Sequence, residues 1–193
     1  HALHMLQGSM PTKYDLARGA MHLEQNLLKE NVGSQDQTAA AFGGLNKITF
    51  GGPEEIAVTP IPLDKKGRNV LQSHLMLFFT GITRIASKVA GEQVKTLDQK
   101  EKELHRLREM VEEGIETLAE KDIERFGKLL DEGWKIKRGL SSKITTDKID
   151  EIYEKAKRAG AIGGKVMGAG GGGFMVFVVK PKDQEKVKKE LKF

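Results

Sequence analysis

Apolar residues recur along the chain in two spacings, and the spacing changes at glycines and prolines. Thr12, with Asp15 three residues on, opens a pattern in which Leu16, Ala20, Leu23 and Leu27 follow the 3.6-residue period, predicting a helix that ends near Asn31. Gly33 leads into Ser34-Gln35-Asp36-Gln37, where Ser34 is placed to cap a short helix and Gln37 to reach back to it, before Gly43-Gly44 stops it. Leu45 to Phe50 and Ile56 to Thr59 read as short strands split by Gly51-Gly52-Pro53. Ile61 to Asn69, with Pro62, Gly67 and four charges, is the expected domain boundary. Leu71 to Phe79 follows as a strand broken by Thr80-Gly81.

Beyond that point helices dominate. Leu104, Leu107, Val111, Ile115 and Leu118 mark a long amphipathic helix, and Ile123, Phe126, Leu130 and Trp134 mark a second, joined near Glu120 to Asp122. A third is expected from Asp147 to Ala159, capped by Thr146 and closed by Gly160. Lys165 to Met167, Gly168 to Gly173 and Phe174 to Val179 then read as strand, glycine loop and strand, with a last helix from Asp183. This order predicts an antiparallel-leaning α+β domain packed by helices on one face.

Composition narrows the function classes. A chain of 193 residues, 31% charged and 38% apolar, can bury a core, and no apolar run reaches membrane-spanning length, so no membrane partner is expected. The absence of cysteine excludes disulfides and thiolate metal sites and permits a reducing cytoplasm, the expected location. A net charge of +5 suggests nucleic acid, but 32 basic residues interleave with 27 acidic ones, which argues against that partner. The opening His1-Ala2-Leu3-His4-Met5-Leu6 lacks a basic leader and a small-residue cleavage site, so it reads as a chain entered partway.

The richest chemical signal lies between Gly160 and Gly173, where eight of fourteen positions are glycine. Such a run suits a backbone that takes unusual dihedrals or turns bare N–H groups toward an anion such as phosphate; a tight hairpin or close packing would explain it equally. Gly168, Gly170 and Gly173 satisfy G-x-G-x-x-G, but a strand follows instead of a helix, against a dinucleotide site. Gly164-Lys165 is followed by Val166 where a P-loop needs Ser or Thr.

Two carboxylates could converge: Glu24 at the edge of a helical apolar stripe, and Asp36 in the first turn of the next helix. In phosphoryl transfer one such group holds magnesium and another accepts the proton of the attacking hydroxyl, although a solvated helix edge and a helix-dipole contact explain the same residues. Thr80, Gly81 and Arg84 interrupt an apolar strand in a layout suited to gripping a sugar or phosphate, and Lys137-Arg138 could bind a substrate phosphate; ordinary surface roles fit both. The histidines have no metal-site spacing.

Together these segments resemble the GHMP kinases, the family of galactokinase, homoserine kinase, mevalonate kinase and phosphomevalonate kinase. GGKVMGAGGGGF is similar to the family's third, glycine-rich motif. VGSQDQTAAAFGG resembles the segment carrying the catalytic Asp, here Asp36, and HLEQN the helix carrying the magnesium-binding acid, here Glu24. QDQTAAAFGGLNKITF, FFTGITR and LLDEGWKIKRGLS look most like the heptose 7-phosphate kinases and related fucokinases. The resemblance implies ATP and Mg2+ as cofactors and transfer to the C1 hydroxyl of a sugar phosphate. In that reading Gly168, Ala169, Gly170, Gly171, Gly172 and Gly173 contact the phosphates, and Thr80, Gly81, Arg84 and Lys137 lie on the substrate side. A homodimer is compatible with it.

The family's second motif, a P-G-L-G-S-S type loop that cradles ATP, is not in the sequence. His1 to Gly8 resembles the tail of the helix that this loop opens, so the chain is expected to start just past its own nucleotide loop and to have little activity alone. It would then hold the end of a first domain, residues 1–66, and a complete ferredoxin-like α+β second domain, residues 67–193. Two rivals stand beside this: a kinase-derived, non-catalytic sugar-binding or regulatory module, and a nucleic-acid-binding domain suggested by the basic pI.

Overall fold

The structure, a computed structural model, describes residues 2–51, 55–83 and 100–192. The chain divides into two compact units, His1–Ile61 and Pro62–Phe193.

The first unit contains α1 (Ala2–Leu6), α2 (Lys13–Met21), α3 (Gln35–Phe42) and the antiparallel pair β1 (Asn46–Phe50) and β2 (Ile56–Pro60). The reciprocal cap at Thr12 forms as the spacing predicts: Thr12 N–H donates to Asp15 at 2.9 Å, and Asp15 N–H to the Thr12 hydroxyl at 3.1 Å. The helix does not continue unchanged to Asn31. It passes at His22 into a π-helical turn, His22–Leu27, in which Leu28 N–H reaches back five residues to Leu23. Such turns arise where a side chain is aimed off the regular helix face, and they gather at functional sites. α2 lies against α3, with Tyr14 set edge-on to Phe42 at 4.8 Å and Ala17 and Thr38 fully buried.

The second unit begins with a departure from expectation. Leu71 to Phe79 is not one strand: α4 (Lys65–His74) occupies its first part, and β3 (Leu75–Phe79) only the last. The cause is Asp64, whose side chain caps α4 by accepting Gly67 N–H, a signal hidden among the residues taken for a boundary. After it come α5 (Glu101–Ala119), α6 (Ile123–Arg138), α7 (Asp147–Ala159), β4 (Ala161–Val166), β5 (Phe174–Val179) and α8 (Gln184–Leu191). α5 and α6 form a hairpin, clamped where Arg106 meets Glu113 and Glu132.

Among the described residues the sheet of this unit has the order β3-β5-β4, antiparallel throughout. Met76, Phe78, Met175 and Phe177 enter a core with Trp134, Ile144, Ile149, Tyr153 and Val187. Burying side chains of this size contributes on the order of 2 kcal/mol each. β4 starts at Ala161, four residues before the expected Lys165, because Gly163 and Gly164 serve contact and not flexibility. A Cβ on Gly163 would lie 1.9 Å from the Gly127 carbonyl oxygen, so β4 and α6 touch backbone to backbone. α7 follows expectation, with Thr146 accepting Ile149 N–H and Gly160 closing it at φ 116°. No described helix is long and apolar enough to cross a membrane.

Candidate functional site

In the first unit, Glu24 and Asp36 sit on neighbouring segments that side chains tie together. The Gln37 amide donates to the Glu24 carboxylate. Gln25 donates to the Val32 carbonyl at 3.1 Å and to the Ser34 hydroxyl at 3.2 Å, and Thr38 donates to the Ser34 carbonyl at 2.7 Å. Glu24 and Gln25 both lie in the π-helical turn, and these bonds link that turn to the start of α3. Ser34 therefore does not cap α3 with its side chain, and Gln37 does not reach back to it. The energy expected of a capping box is instead spent on fixing Glu24 and the turn before Asp36.

Asp36 is exposed in the first turn of α3. Glu24 is half-buried, with one carboxylate oxygen engaged by Gln37 and the other open. Among the described residues the side-chain oxygen of Gln37 is buried without a partner, a second hard donor near the same carboxylate. Among the described residues no three His, Cys, Asp or Glu side chains gather as a metal cage. This donor set fits magnesium, which takes one or two protein oxygens and completes its shell with water and phosphate.

The second unit holds the glycine loop. Gly171 N–H donates to the Ile144 carbonyl at 2.7 Å and Gly173 N–H to that of Ile82 at 2.8 Å. A Cβ on Gly170 would come within 2.7 Å of the Ile144 oxygen, and one on Gly172 within 2.7 Å of the Ile82 oxygen. Part of the glycine richness is thus close packing, and the N–H groups of Gly171 and Gly173 are not turned to an anion. Gly168, by contrast, is exposed at φ 69° with nothing within 4 Å of its missing side chain. Gly168 is the exposed position of the loop, and Ala169 and Gly170 are half-buried.

Thr80 belongs to the same construction. It is 5% exposed, its hydroxyl donates to the Gly173 carbonyl at 2.8 Å, and its oxygen accepts Ile82 N–H at 3.2 Å. Its hydroxyl proton is committed to holding the loop and not to a sugar. Gly81 is exposed at φ 71°, and Arg84 lies outside the described residues. Lys137, in the last turn of α6, donates to the Gly168 carbonyl at 2.7 Å. Burial, reinforced by the charge of Lys165, lowers its ammonium pKa to about 8.

Two residues of these groupings were not expected. Gln37 read as a cap, and nothing in its spacing distinguishes that role from holding Glu24. Lys165 left a clearer trace: it is a lysine in a strand whose neighbours Gly164 and Val166 are both buried.

Comparison with known proteins agrees with this architecture. Residues 115–193 match the family described as GHMP kinases C terminal. The chain is 32% identical over 182 residues to the D-glycero-alpha-D-manno-heptose 7-phosphate kinase of Campylobacter jejuni, covering 93% of this chain and 54% of that protein. It is 29% identical over 180 residues to the bifunctional fucokinase/GDP-fucose pyrophosphorylase of Arabidopsis thaliana, covering 90% of this chain and 17% of the relative. The crystal structure of a D-glycero-D-manno-heptose 1-phosphate kinase from Bacteroides thetaiotaomicron superposes with a TM-score of 0.74 at 27% identity, over 98% of this chain and 52% of that one. The chain thus spans about half the length of the heptose kinases it matches. Residues 115–193 of its second unit are thus similar to the GHMP kinase C-terminal domain, and the chain has the mixed α/β fold of the GHMP kinases.

Proposed function

We propose that this protein belongs to a sugar kinase that transfers the γ-phosphoryl group of ATP to the anomeric C1 hydroxyl of D-glycero-D-manno-heptose 7-phosphate, giving the 1,7-bisphosphate. The observation that carries the reading is the bond from Gln37 to Glu24, which joins the two segments whose residues resemble the family's metal-binding and catalytic acids. The similarity to heptose phosphate kinases supports the acceptor.

In this reaction the C1 hydroxyl oxygen forms a bond to the γ-phosphorus as the bond to the β,γ-bridging oxygen breaks, and ADP leaves. Asp36, exposed at the start of α3, takes the hydroxyl proton onto its carboxylate. Glu24, oriented by Gln37, and the Gln37 oxygen would hold magnesium, which supplies charge neutralisation on the phosphates. The exposed backbone at Gly168 would offer its N–H to phosphate, and Thr80 holds the other end of the loop at Gly173. Gly81, Arg84 and Lys137 are the substrate-side residues of this reading, and cytoplasm is the compartment where ATP and a phosphorylated sugar meet. The residue boundary between the domains is proposed at 66/67.

The test is ATP consumption with magnesium, offering heptose 7-phosphate, fucose and galactose in parallel, with Asp36→Ala as control. Turnover of heptose 7-phosphate that disappears in the variant supports the assignment; turnover of fucose alone moves the acceptor to an unphosphorylated sugar, as the similarity to a fucokinase would suggest. Sugar binding without turnover, in a form of the protein that also carries a nucleotide phosphate loop, would establish a non-catalytic module.

A further inference from the structure

The middle of the glycine loop rests on the connection between α6 and α7, residues 139–146. Ile144, in that connection, is fully buried in the core. Its carbonyl accepts the Gly171 N–H at 2.7 Å. A Cβ on Gly170 would stand 2.7 Å from the same oxygen and 3.1 Å from the Ile144 Cα. Where the Ile144 carbonyl lies therefore decides where Gly170 and Gly171 lie.

Bonds inside the connection are local. Ile144 N–H donates to the Ser141 carbonyl at 3.2 Å, and Lys143 N–H to the Ser141 hydroxyl at 3.3 Å. They shape a turn without fixing how it lies between the helices. The tie that spans the connection is Asp150, in the first turn of α7. One of its carboxylate oxygens, Oδ1, accepts Arg138 Nη1 at 3.0 Å, from the last turn of α6. The same oxygen accepts the hydroxyl of Thr145, the residue after Ile144, at 2.7 Å. Bonds to an ionised acceptor are the stronger kind, and here one acceptor holds both ends of the connection.

The helix dipole by itself asks only for an acid in the first turn of α7, and the exposed Asp147 already meets that. Asp150 is instead half-buried together with Arg138 and Thr145. The neighbour of Arg138 points the same way, since Lys137 donates to the Gly168 carbonyl at 2.7 Å. The last turn of α6 thus reaches the loop twice, at Gly168 directly and at Gly171 by way of Asp150, Thr145 and Ile144.

We propose that Asp150 is a positioning residue for the glycine loop, acting through Thr145 and the Ile144 carbonyl on the Gly171 N–H. The proposal rests on the kinase reading only for what the loop then does in the reaction; the coupling of Asp150 to Gly171 lies wholly within the second unit.

Exchange of the Gly171 and Gly173 amide hydrogens, followed by NMR in the 193-residue chain, tests it. Gly173 is the internal control, because its N–H goes to Ile82 and its carbonyl is held by Thr80. Asp150→Ala and Thr145→Val each speed exchange at Gly171 by about tenfold, the effect of losing one good hydrogen bond locally, and leave Gly173 unchanged. Thr145→Ser keeps the hydroxyl and keeps the slow exchange. Thr145→Val preserves the shape of the side chain and carries the test where Asp150→Ala does not fold. Equal acceleration at both amides, or none at Gly171, assigns Asp150 to general stability and overturns the proposal. In a form that also carries a nucleotide phosphate loop, Thr145→Val lowers kcat for the sugar with its KM unchanged, and Thr145→Ser restores kcat. A parent without turnover removes the kinase reading and leaves the exchange result, and with it the positioning of the loop, intact. A parent with turnover whose kcat survives in Thr145→Val, although Gly171 exchanges faster, overturns the role of Asp150 in the reaction.

Discussion

The side-chain amide of Gln37 donates to the carboxylate of Glu24, thirteen residues earlier in the chain, and so fastens the π-helical turn to the first turn of α3. Replacing Gln37 by Met keeps the bulk and removes the donor. The expected cost is about 1 kcal/mol of stability for the lost bond. The functional effect should be larger than the structural one. With Glu24 free to rotate, the magnesium concentration for half-maximal turnover rises while the KM for the sugar changes little. Urea unfolding and a magnesium titration of initial rates separate the two effects, and an unchanged magnesium requirement would remove Gln37 from its positioning role.

The glycines of the loop are not equivalent, and alanine substitution should rank them. At Gly168 the added methyl group meets nothing, and only the positive φ of 69° is strained, at about 1–2 kcal/mol. At Gly170 the same strain is joined by contact with the Ile144 oxygen at 2.7 Å, so Gly170→Ala should cost about 3 kcal/mol or more. Denaturant midpoints of the two variants check this order; Gly168→Ala as the more damaging of the two would contradict the packing described here.

How much of this was legible in the sequence depended on how local the signal was. The caps at Thr12 and Thr146, the α5–α6 junction and the order of strand, loop and strand rest on contacts a few residues apart, and the structure agrees with them. α4 was missed because Val70 and Leu71 are its only apolar residues, which leaves no helical stripe to read, and the polar Gln72-Ser73-His74 between Leu71 and β3 did not signal a change of element. The glycine run pointed to a special backbone but could not divide itself. Which glycines pack on Ile82 and Ile144, and which stay open, is decided by partners up to 93 residues away in the chain, as the Thr80 to Gly173 bond illustrates. Lys165 was passed over for the same reason: its charge bears on Lys137, which reaches the loop from another element, and a local motif does not record that.

Asp131 on α6 ties that helix to α7 and should contribute to the acid limb of stability. Burial is the largest single influence on its carboxyl and opposes ionisation, but bonds from Lys135, Tyr153 and Lys157 together outweigh it and hold the pKa below the usual carboxylate range. A group whose folded pKa is depressed contributes stability above its unfolded value, near 3.9, and loses that contribution as pH falls through the folded value. Asp131→Asn should therefore lower stability at pH 7 by about 1–3 kcal/mol, with a gap to the parent that narrows below pH 4. Unfolding midpoints at pH 7, 5 and 3 follow the gap directly.

Lys137 should instead carry a penalty at neutral pH that is relieved toward the alkaline end. Its folded pKa is about 8, lowered by burial and by Lys165 on β4, while the unfolded chain titrates near 10.4. The groups facing it are that second ammonium and the Gly168 carbonyl; the adjacent Arg138 is engaged by Asp150. Between the two values the unfolded chain binds more protons than the folded one, so the contribution of Lys137 to stability rises with pH across that window. Lys137→Met removes the penalty at neutral pH and flattens the rise, making the variant the more stable form at pH 7 and narrowing its advantage by pH 10. Phosphate held at the loop should reverse the slope, because the bound anion favours the charged lysine and raises its pKa. Denaturant midpoints at pH 7, 8, 9 and 10, with and without pyrophosphate, distinguish these cases; a difference between parent and variant that does not change with pH would mean that Lys137 keeps an ordinary, solvated charge.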